Sequence, residues 1–228
     1  MIGIIQGRLS PPIEGFQETP KNWKKEFDLI QDIGLNHIDW VVTSLDNPIF
    51  YEDLKQYPIN SICADNLITK DIFDVNFLTH AIGSVCGAAR QNRILSITIP
   101  LLEESSMVND EDRHTFIKQI LPIVDNNPDI NFSFEAELEP SKLLEIVELR
   151  DNMFVTYDTG NTTSFGLDHK DYIVSVKHKI DNVHIKDRTF QSETVRPFTG
   201  DTDFELIFNV LSSINYNQKY TLQAARQD

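Results

Sequence analysis

The chain has 228 residues, 40% of them hydrophobic, and its 20 Lys and Arg against 35 Asp and Glu residues give a net charge of −15. A chain of this length hides about 70% of its unfolded surface on folding, so we expect one domain over residues 1–228 that needs neither a disulfide framework nor a structural metal. The negative charge argues against nucleic acid and anionic membranes as partners, because binding to both depends on clustered Lys and Arg.

Two features of the sequence indicate the cellular compartment. The cysteines Cys63 and Cys86 lack C-x-x-C spacing, which favours two buried thiols in a reducing environment. The N-terminus has one short apolar run without a basic segment before it, and no stretch approaches the roughly 18 apolar residues of a spanning helix. We therefore expect a cytoplasmic protein.

Short β-branched or aromatic runs alternate with segments of helical period, which is typical of a parallel sheet covered by helices. The predicted strands are 2–5, 37–42, 59–64, 94–99, 131–135, 153–158, 182–187 and 219–223. The predicted helices are 22–33, a short piece at 51–56, 73–92, 110–125, one that begins at 139–141, 168–178 and 203–213. Eight strands that each lead into a helix predict an α/β fold, a (β/α)₈ TIM barrel rather than an open doubly wound sheet.

Local signals refine this prediction. Pro122 is expected to kink or shorten its helix, and Thr202 with Glu205 matches a capping box at the start of the last one. The stretch 191–201 is expected to form an exposed loop at the active-site rim. Only residues 224–228 follow the last strand, so the final helix is absent or truncated. Either the chain is truncated, or a neighbouring subunit in a homodimer covers that flank.

Four polar side chains lie at or near the carboxyl ends of the last four predicted strands: Glu135, Asp158, His184 and Gln223. TIM-barrel active sites lie at this face, so we expect the four to meet at one mouth. Two carboxylates, an imidazole and an amide oxygen suit Mn²⁺, Mg²⁺, Co²⁺ or Zn²⁺. Taken singly, each residue has an ordinary structural explanation. Asp158 could serve merely as the cap of the next helix, and a lone His in an apolar strand is commonly a core residue.

Cationic residues follow three of the predicted strands. Arg8 follows the first strand, Lys186 and Arg188 follow the seventh, and Arg226 follows the eighth. In a protein this acidic they would select an anionic substrate, such as a sugar carrying a phosphate or a carboxylate. The alternative is that Lys186 and Arg188 pair with nearby acids and serve only the structure.

Several segments resemble a known family when taken together in chain order. They are MIGIIQGRLSPP, SICADN, FSFEAELEP, TYDTGNTTSFG, NVHIKDR and LQAAR. With these segments the chain resembles the sugar (phosphate) isomerase/epimerase branch of the xylose isomerase-like TIM barrels. The resemblance implies a divalent metal bound at Glu135, Asp158, His184 and an acid at the end of the eighth strand, with substrate oxygens completing the shell. It also implies that two metal-bound Glu residues face opposite sides of the substrate in the epimerases.

The sequence departs from that pattern at the eighth strand, where Gln223 replaces the acid. An amide oxygen coordinates metal but accepts no proton at neutral pH, so two-base epimerisation through this pair is in doubt. Glu135 alone could drive a one-base aldose/ketose isomerisation. Alternatively, Glu137 or Asp65 could supply a second acid or base. Besides Asp65, we expect Gln6 and Asp39 to bind substrate hydroxyls.

The leading hypothesis is a metal-dependent isomerase or epimerase that acts on a small sugar or sugar phosphate through an enediolate, with Glu135 as the catalytic base. One rival is a non-catalytic barrel that binds a sugar, favoured by Gln223 and the short C-terminus. The other is an endonuclease-IV-like hydrolase, which would need a His-rich cluster of three metals and a basic face. The chain has six histidines and a charge of −15, which argue against that hydrolase.

Overall fold

Eight parallel strands close into a barrel in the computed structural model, which describes residues 1–10 and 19–224. The barrel strands follow one another around the wall in chain order, and the last strand pairs with the first. The TIM barrel predicted from the sequence is therefore confirmed. Strands β1 to β8 are Ile2–Ile5, His37–Val41, Ile59–Cys63, Ser96–Leu101, Asn131–Ala136, Met153–Asp158, Ile180–Ile185 and Lys219–Leu222.

The helices lie between the strands and agree closely with the predicted ones, with two exceptions. A 3₁₀ turn at Pro48–Phe50 replaces the helix predicted at 51–56, and Thr159–Ser164 forms a helix that was not predicted. Helices α1 to α7 are Lys24–Asp32, Val75–Asn92, Asp110–Asp125, Pro140–Val147, Thr159–Ser164, His169–Val176 and Phe204–Ser213. No helix follows β8 up to residue 224, and the segment 225–228, which bears on the predicted missing helix, lies outside the described residues.

The structure changes two local predictions. Helix α3 is not shortened at Pro122 but continues to Asp125, because proline removes one helical hydrogen bond while the buried apolar face of the helix holds the last turn in place. A kink at Pro122 stays a prediction, whereas the capping box predicted for α7 was wrong. Helix α7 is capped by Asp203, whose carboxylate accepts a hydrogen bond from the Leu206 backbone N–H at 2.9 Å. The Thr202 hydroxyl instead lies 3.0 Å from the Thr163 hydroxyl.

Alternation along the strands determines which side chains face the barrel interior. Phe134 of β5 contacts Phe116 of α3 edge to face, with ring centroids 6.0 Å apart, so its neighbour Glu135 points inward. Tyr157 of β6 packs on Tyr172 of α6 with the rings tilted by 35° and their centroids 5.4 Å apart, so Asp158 also points inward. The helices therefore bury the aromatic residues, and the carboxylates face the axis of the barrel.

Polar side chains bridge the interior below the mouth of the barrel. The fully buried Asp39 of β2 accepts hydrogen bonds from Asn182 of β7 at 2.8 Å and from Thr221 of β8 at 2.6 Å. Asn60 of β3 donates to the other Asp39 oxygen at 2.8 Å. The bonds from Asn182 and Thr221 connect strands that are not neighbours in the wall, and the network closes the bottom of the site.

Some predictions concern properties other than the barrel itself. Cys63 and Cys86 are buried free thiols, as expected. No helix in residues 1–10 and 19–224 is long and apolar enough to cross a bilayer. The homodimer and the cytoplasmic location stay predictions.

Candidate active site

Three of the predicted metal ligands converge at the carboxyl end of the barrel. Glu135 of β5, Asp158 of β6 and His184 of β7 are all buried, and each offers one ligand atom within 4.8 Å of the other two. Asp158 and His184 are partners in the register of β6 and β7, which brings them side by side. The expected convergence of these three side chains is therefore present.

Each carboxylate of this cluster uses one oxygen for a hydrogen bond to Asn161 and keeps the other for a charged neighbour. Glu135 Oε1 accepts from Asn161 Nδ2 at 2.8 Å, and Glu135 Oε2 lies 3.0 Å from His184 Nδ1. Asp158 Oδ1 accepts from the Asn161 backbone N–H at 2.7 Å, which makes Asp158 the N-cap of α5. Asp158 Oδ2 lies 3.1 Å from Lys186 Nζ.

Several buried atoms of this cluster lack a hydrogen-bond partner among the described residues. They are Asp158 Oδ2, both ring nitrogens of His184, and Oε1 of Gln223. The Glu135–His184 and Asp158–Lys186 pairs are close enough for ion pairs, but their directions do not satisfy these atoms as hydrogen bonds. Unsatisfied buried polar atoms are costly, and oxygen and imidazole nitrogen donors are the ligands of divalent cations. The residues present therefore fit a divalent metal ion.

The charges in the cluster are strongly linked. Burial favours the protonated form of Glu135, but the charge of His184 and its contact with Glu135 lower the pKa of this carboxyl below its usual value. Burial alone would lower the pKa of His184, whereas Glu135 and Asp39 raise it to about 10. Burial raises the pKa of Asp158. Without a metal, Glu135 and His184 therefore form a buried ion pair, and a metal ion would have to displace the imidazole proton.

A cavity of about 360 Å³ opens above the cluster. A narrow pocket at its floor contains His184 and shares Asp65, Pro100, Glu135 and Gln223 with the larger space. The cavity combines three cations with four acids. Its wall consists of Arg8, Thr43, Asp65, Ile68, Pro100, Leu102, Glu103, Glu135, Glu137, Asn161, Lys186, Arg188, Thr194 and Gln223.

Three of the four predicted cations line the cavity, and the fourth, Arg226, lies outside the described residues. Arg188 donates to Asn161 Oδ1 at 3.0 Å, and Lys186 donates to the same oxygen at 3.2 Å. Arg8 donates from Nε to the Ala224 carbonyl at 2.9 Å. Lys186 and Arg188 thus pair with groups of the site, as the structural alternative expects, and they also face the cavity, as substrate binding requires.

Two further carboxyls on the cavity wall have raised pKa values. Burial and the charge of Glu135 raise the pKa of Asp65 to about 7. Burial raises the pKa of Glu137 to about 6, although Arg188 lies 3.9 Å from its carboxylate and opposes the shift. Both groups therefore exchange protons close to neutral pH.

Two residues that we expected to contact substrate lie behind the cavity wall. Gln6 is buried, and its Oε1 accepts a hydrogen bond from the Val41 backbone N–H at 3.1 Å. Asp39 is occupied by the interior network and lies 3.7 Å from His184 Nε2, on the side of the ring away from Glu135. Neither residue is among those that line the cavity.

The sequence reasoning missed Asn161, which contacts Glu135, Lys186 and Arg188 through its side chain. The YDTGN segment contained the signal, because an Asn three residues after the capping Asp158 lies in the first turn of the following helix. Gly160 in the same segment allows close approach. A Cβ atom there would lie 2.9 Å from Lys186 Cγ.

The predicted rim loop, residues 191–201, is anchored by hydrogen bonds to one buried carboxylate, that of Asp187. Asp187 accepts hydrogen bonds from the backbone N–H groups of Thr199 at 3.0 Å and Gly200 at 2.9 Å. Within the loop, Thr194–Val195 pairs antiparallel with Asp187–Arg188. Thr194 consequently reaches the cavity wall, so part of the loop does form the rim.

Comparison with known proteins gives matches in structure only. No family model matches the chain, and no curated protein does. Among solved structures, the chain is similar to the E. coli 3-keto-D-glucoside 4-epimerase YcjR, with a TM-score of 0.71, 15% identity and coverage of 100% of this chain and 92% of that one.

Two further structures are similar over almost the whole chain. The IolI protein with a bound zinc atom has a TM-score of 0.77, 16% identity and coverage of 99% of this chain and 89% of that one. An L-ribulose 3-epimerase has a TM-score of 0.74, 16% identity and coverage of 98% and 80%. At these identities the likeness shows the fold, and the resemblance to the xylose isomerase-like TIM barrels is confirmed at that level.

Proposed function

We propose that this protein is a metal-dependent isomerase or epimerase that acts on a small sugar or sugar phosphate through an enediolate. The observation that carries the proposal is the meeting of Glu135, Asp158 and His184 within 4.8 Å, at a place where Glu135 lines a cavity of about 360 Å³. A cavity of this volume is large enough for a small sugar. Two of the similar structures are sugar epimerases, and a third contains a bound zinc atom, which supports the same proposal.

The chemistry requires a base next to the reacting carbon. Moving a carbonyl along a sugar, or inverting the carbon beside it, begins with removal of a proton from a C–H bond next to C=O. Glu135 faces the cavity, and because its pKa is lowered it is a carboxylate at neutral pH, ready to accept that proton. Bound by Glu135, Asp158, His184 and Gln223, a divalent ion would supply Lewis-acid neutralisation of the enediolate charge.

The cations of the wall would orient the substrate. Arg8, Lys186 and Arg188 face the cavity and offer donors to hydroxyl, carboxylate or phosphate oxygens. Lys186 also lies 3.1 Å from Asp158 Oδ2, so it balances one of the two ligand carboxylates. We propose that these three residues hold the sugar with its reacting carbon over Glu135.

The presence of Gln223 favours a second candidate function, a non-catalytic barrel that binds a sugar. The Gln223 amide supplies an oxygen at the position where the family places an acid, and the amide accepts no proton at neutral pH. The hydrolase alternative has little support. In the described part of the chain, the one group that could hold a metal contains a single histidine, and the net charge is −15.

The test is exchange of the substrate proton with solvent. The protein, loaded in turn with Mn²⁺, Mg²⁺, Co²⁺ or Zn²⁺, is incubated in D₂O with a panel of ketoses and ketose phosphates, and NMR measures deuterium next to the carbonyl. We expect deuterium in at least one sugar, and a loss of more than about 100-fold in Glu135→Gln. The matched control is Glu104→Gln, an exposed acid that does not line the cavity. Sugar binding without exchange for every metal would support the binding barrel instead.

A further inference from the structure

Asp65 and Glu135 reach the floor of the cavity from the two sides of one strand. Asp65 begins the 3₁₀ turn Asp65–Leu67 just after β3, and Glu135 lies near the end of β5. In the barrel wall β4 separates these two strands, and its Pro100 lies between them on the floor. Both carboxylates line the larger cavity and the narrow pocket below it. A small molecule on the floor would therefore meet both acids.

The Asp65 carboxylate differs from those of Glu135 and Asp158 in having no hydrogen bond or ion pair among the described residues. Across residues 1–10 and 19–224, no side chain or backbone group makes a hydrogen bond or an ion pair with it. Glu135 and Asp158, in contrast, are held by Asn161 and by charged neighbours. An acid with no structural task that faces the cavity is available to the substrate.

The backbone around Asp65 is nevertheless fixed. The Asn66 N–H donates to the Val42 carbonyl at 2.8 Å, and the Leu67 N–H donates to the Ala64 carbonyl at 3.0 Å. The next residue, Ile68, donates to the Asp65 carbonyl at 3.1 Å. The turn is thus tied to the end of β2 and closed on itself, so the carboxylate projects from a rigid element, as an acid–base group requires.

We propose that Asp65 is the second acid–base residue, which exchanges a proton on the face of the substrate opposite to Glu135 and takes over what Gln223 cannot do. This inference rests on the proposed function. Glu135 accepts the proton from the carbon next to the carbonyl, and the C–H electron pair moves into the enediolate. The protonated Asp65 then donates its proton to the same carbon from the other side, so the carbon is inverted. Asp65 ends as a carboxylate and Glu135 as an acid, and exchange with water restores both.

The test separates proton removal from inversion. Asp65→Asn keeps the shape of the side chain but replaces the carboxyl by an amide, which neither gives up nor accepts a proton near neutral pH. The sugar used is one that the wild type epimerises in D₂O. We expect the variant to form the epimer at a rate lowered by about 100-fold or more, while deuterium still enters the starting sugar from the Glu135 face. Sugar affinity, metal content and thermal unfolding should remain close to those of the wild type. In Asp65→Ala, added formate should restore part of the epimerisation.

The matched control is Asp71→Asn, the same change in the neighbouring 3₁₀ helix Lys70–Phe73 at an exposed position outside the cavity wall. The inference is overturned if Asp65→Asn epimerises at the wild-type rate, if it loses exchange and inversion together, or if the wild type exchanges and isomerises on one face only. A wild type that exchanges no sugar overturns the proposed function as well, which distinguishes the two failures.

Discussion

His184 lies between two buried carboxylates that bind its ring from opposite sides. Its Nδ1 is 3.0 Å from Glu135 Oε2, and its Nε2 is 3.7 Å from Asp39 Oδ2. A metal-bound histidine is commonly held by a carboxylate on its other nitrogen, which fixes the orientation of the ring. This arrangement fits Nδ1 as the metal ligand and Asp39 as the group behind it.

Replacing His184 should therefore weaken metal binding. We expect His184→Gln to lower the affinity for Mn²⁺ by about 100-fold or more, since one of three converging ligands loses its imidazole. Gln is preferred to Ala because an empty site would leave two buried carboxylates without a partner. Calorimetric titration of the metal-free proteins measures the effect, with the exposed His80→Gln as the control. Equal metal affinity in His184→Gln and wild type would reject His184 as a ligand.

Gln223 predicts an effect of the opposite sign. Its Oε1 is buried on the cavity floor without a hydrogen-bond partner in the described chain. Gln223→Glu would replace a neutral oxygen by a charged one, so we expect the affinity for Mn²⁺ to rise about tenfold or more. Gln91→Glu makes the same change on the exposed surface and serves as the control in the same titration. Unchanged affinity in Gln223→Glu would place residue 223 outside the metal shell.

At the scale of elements, helix α5 connects the metal ligands to the cations of the wall. Five of its six residues are buried although none is apolar. Its side chains satisfy one another and the neighbouring backbone, as when Thr162 Oγ1 donates to the Asp158 carbonyl at 2.8 Å and Thr163 Oγ1 donates to the Thr159 carbonyl at 2.9 Å. The segment has no hydrophobic period, and its one helical signal is the capping residue Asp158, so the helix itself was not predicted.

Asn161 is the residue of α5 on which the site depends most. Its amide donates to Glu135 at 2.8 Å and accepts from Lys186 at 3.2 Å and Arg188 at 3.0 Å. We expect Asn161→Ala to lower the free energy of unfolding by about 1–3 kcal/mol, because it leaves a buried Glu135 oxygen unpaired. Urea unfolding measures this loss, with the exposed Asn126→Ala as the control. A change no larger than that of the control would contradict the bridging role of Asn161.

At the scale of the whole molecule, the barrel was predictable while the contacts inside it were only partly so. The strand–helix alternation predicted the closed wall, and the strand ends predicted the meeting of Glu135, Asp158 and His184. Whether a side chain reaches the cavity or stops below it depends on strand length and register. Those quantities put Asp39 in the interior network and Asp65 on the floor, and a sequence pattern does not contain them.

His169 joins three elements, and its titration makes stability depend on pH. Its Nδ1 lies 2.6 Å from the Tyr157 hydroxyl of β6, and its Nε2 lies 3.0 Å from the Thr163 hydroxyl of α5. Burial lowers the pKa of His169 below its usual value. Above the unfolded pKa near 6.5 the His169 imidazole is neutral in both the folded and the unfolded chain. Just below that pH the imidazole binds a proton in the unfolded chain but stays neutral in the folded one. The folded state therefore loses stability as the pH falls through that value, by up to about 1.4 kcal/mol per pH unit.

The carboxyls of Asp65 and Glu137, whose pKa values are raised, change stability in the opposite direction over the same range. The measured quantity is therefore the difference between wild type and His169→Gln, which keeps one acceptor and one donor but does not titrate. Metal-free proteins are unfolded in urea at about pH 7 and about pH 5, and we expect the variant to lose less stability on acidification than the wild type. His178→Gln, at an exposed position, should behave as the wild type. Parallel pH profiles for His169→Gln and wild type would mean that His169 titrates alike in the folded and unfolded chain.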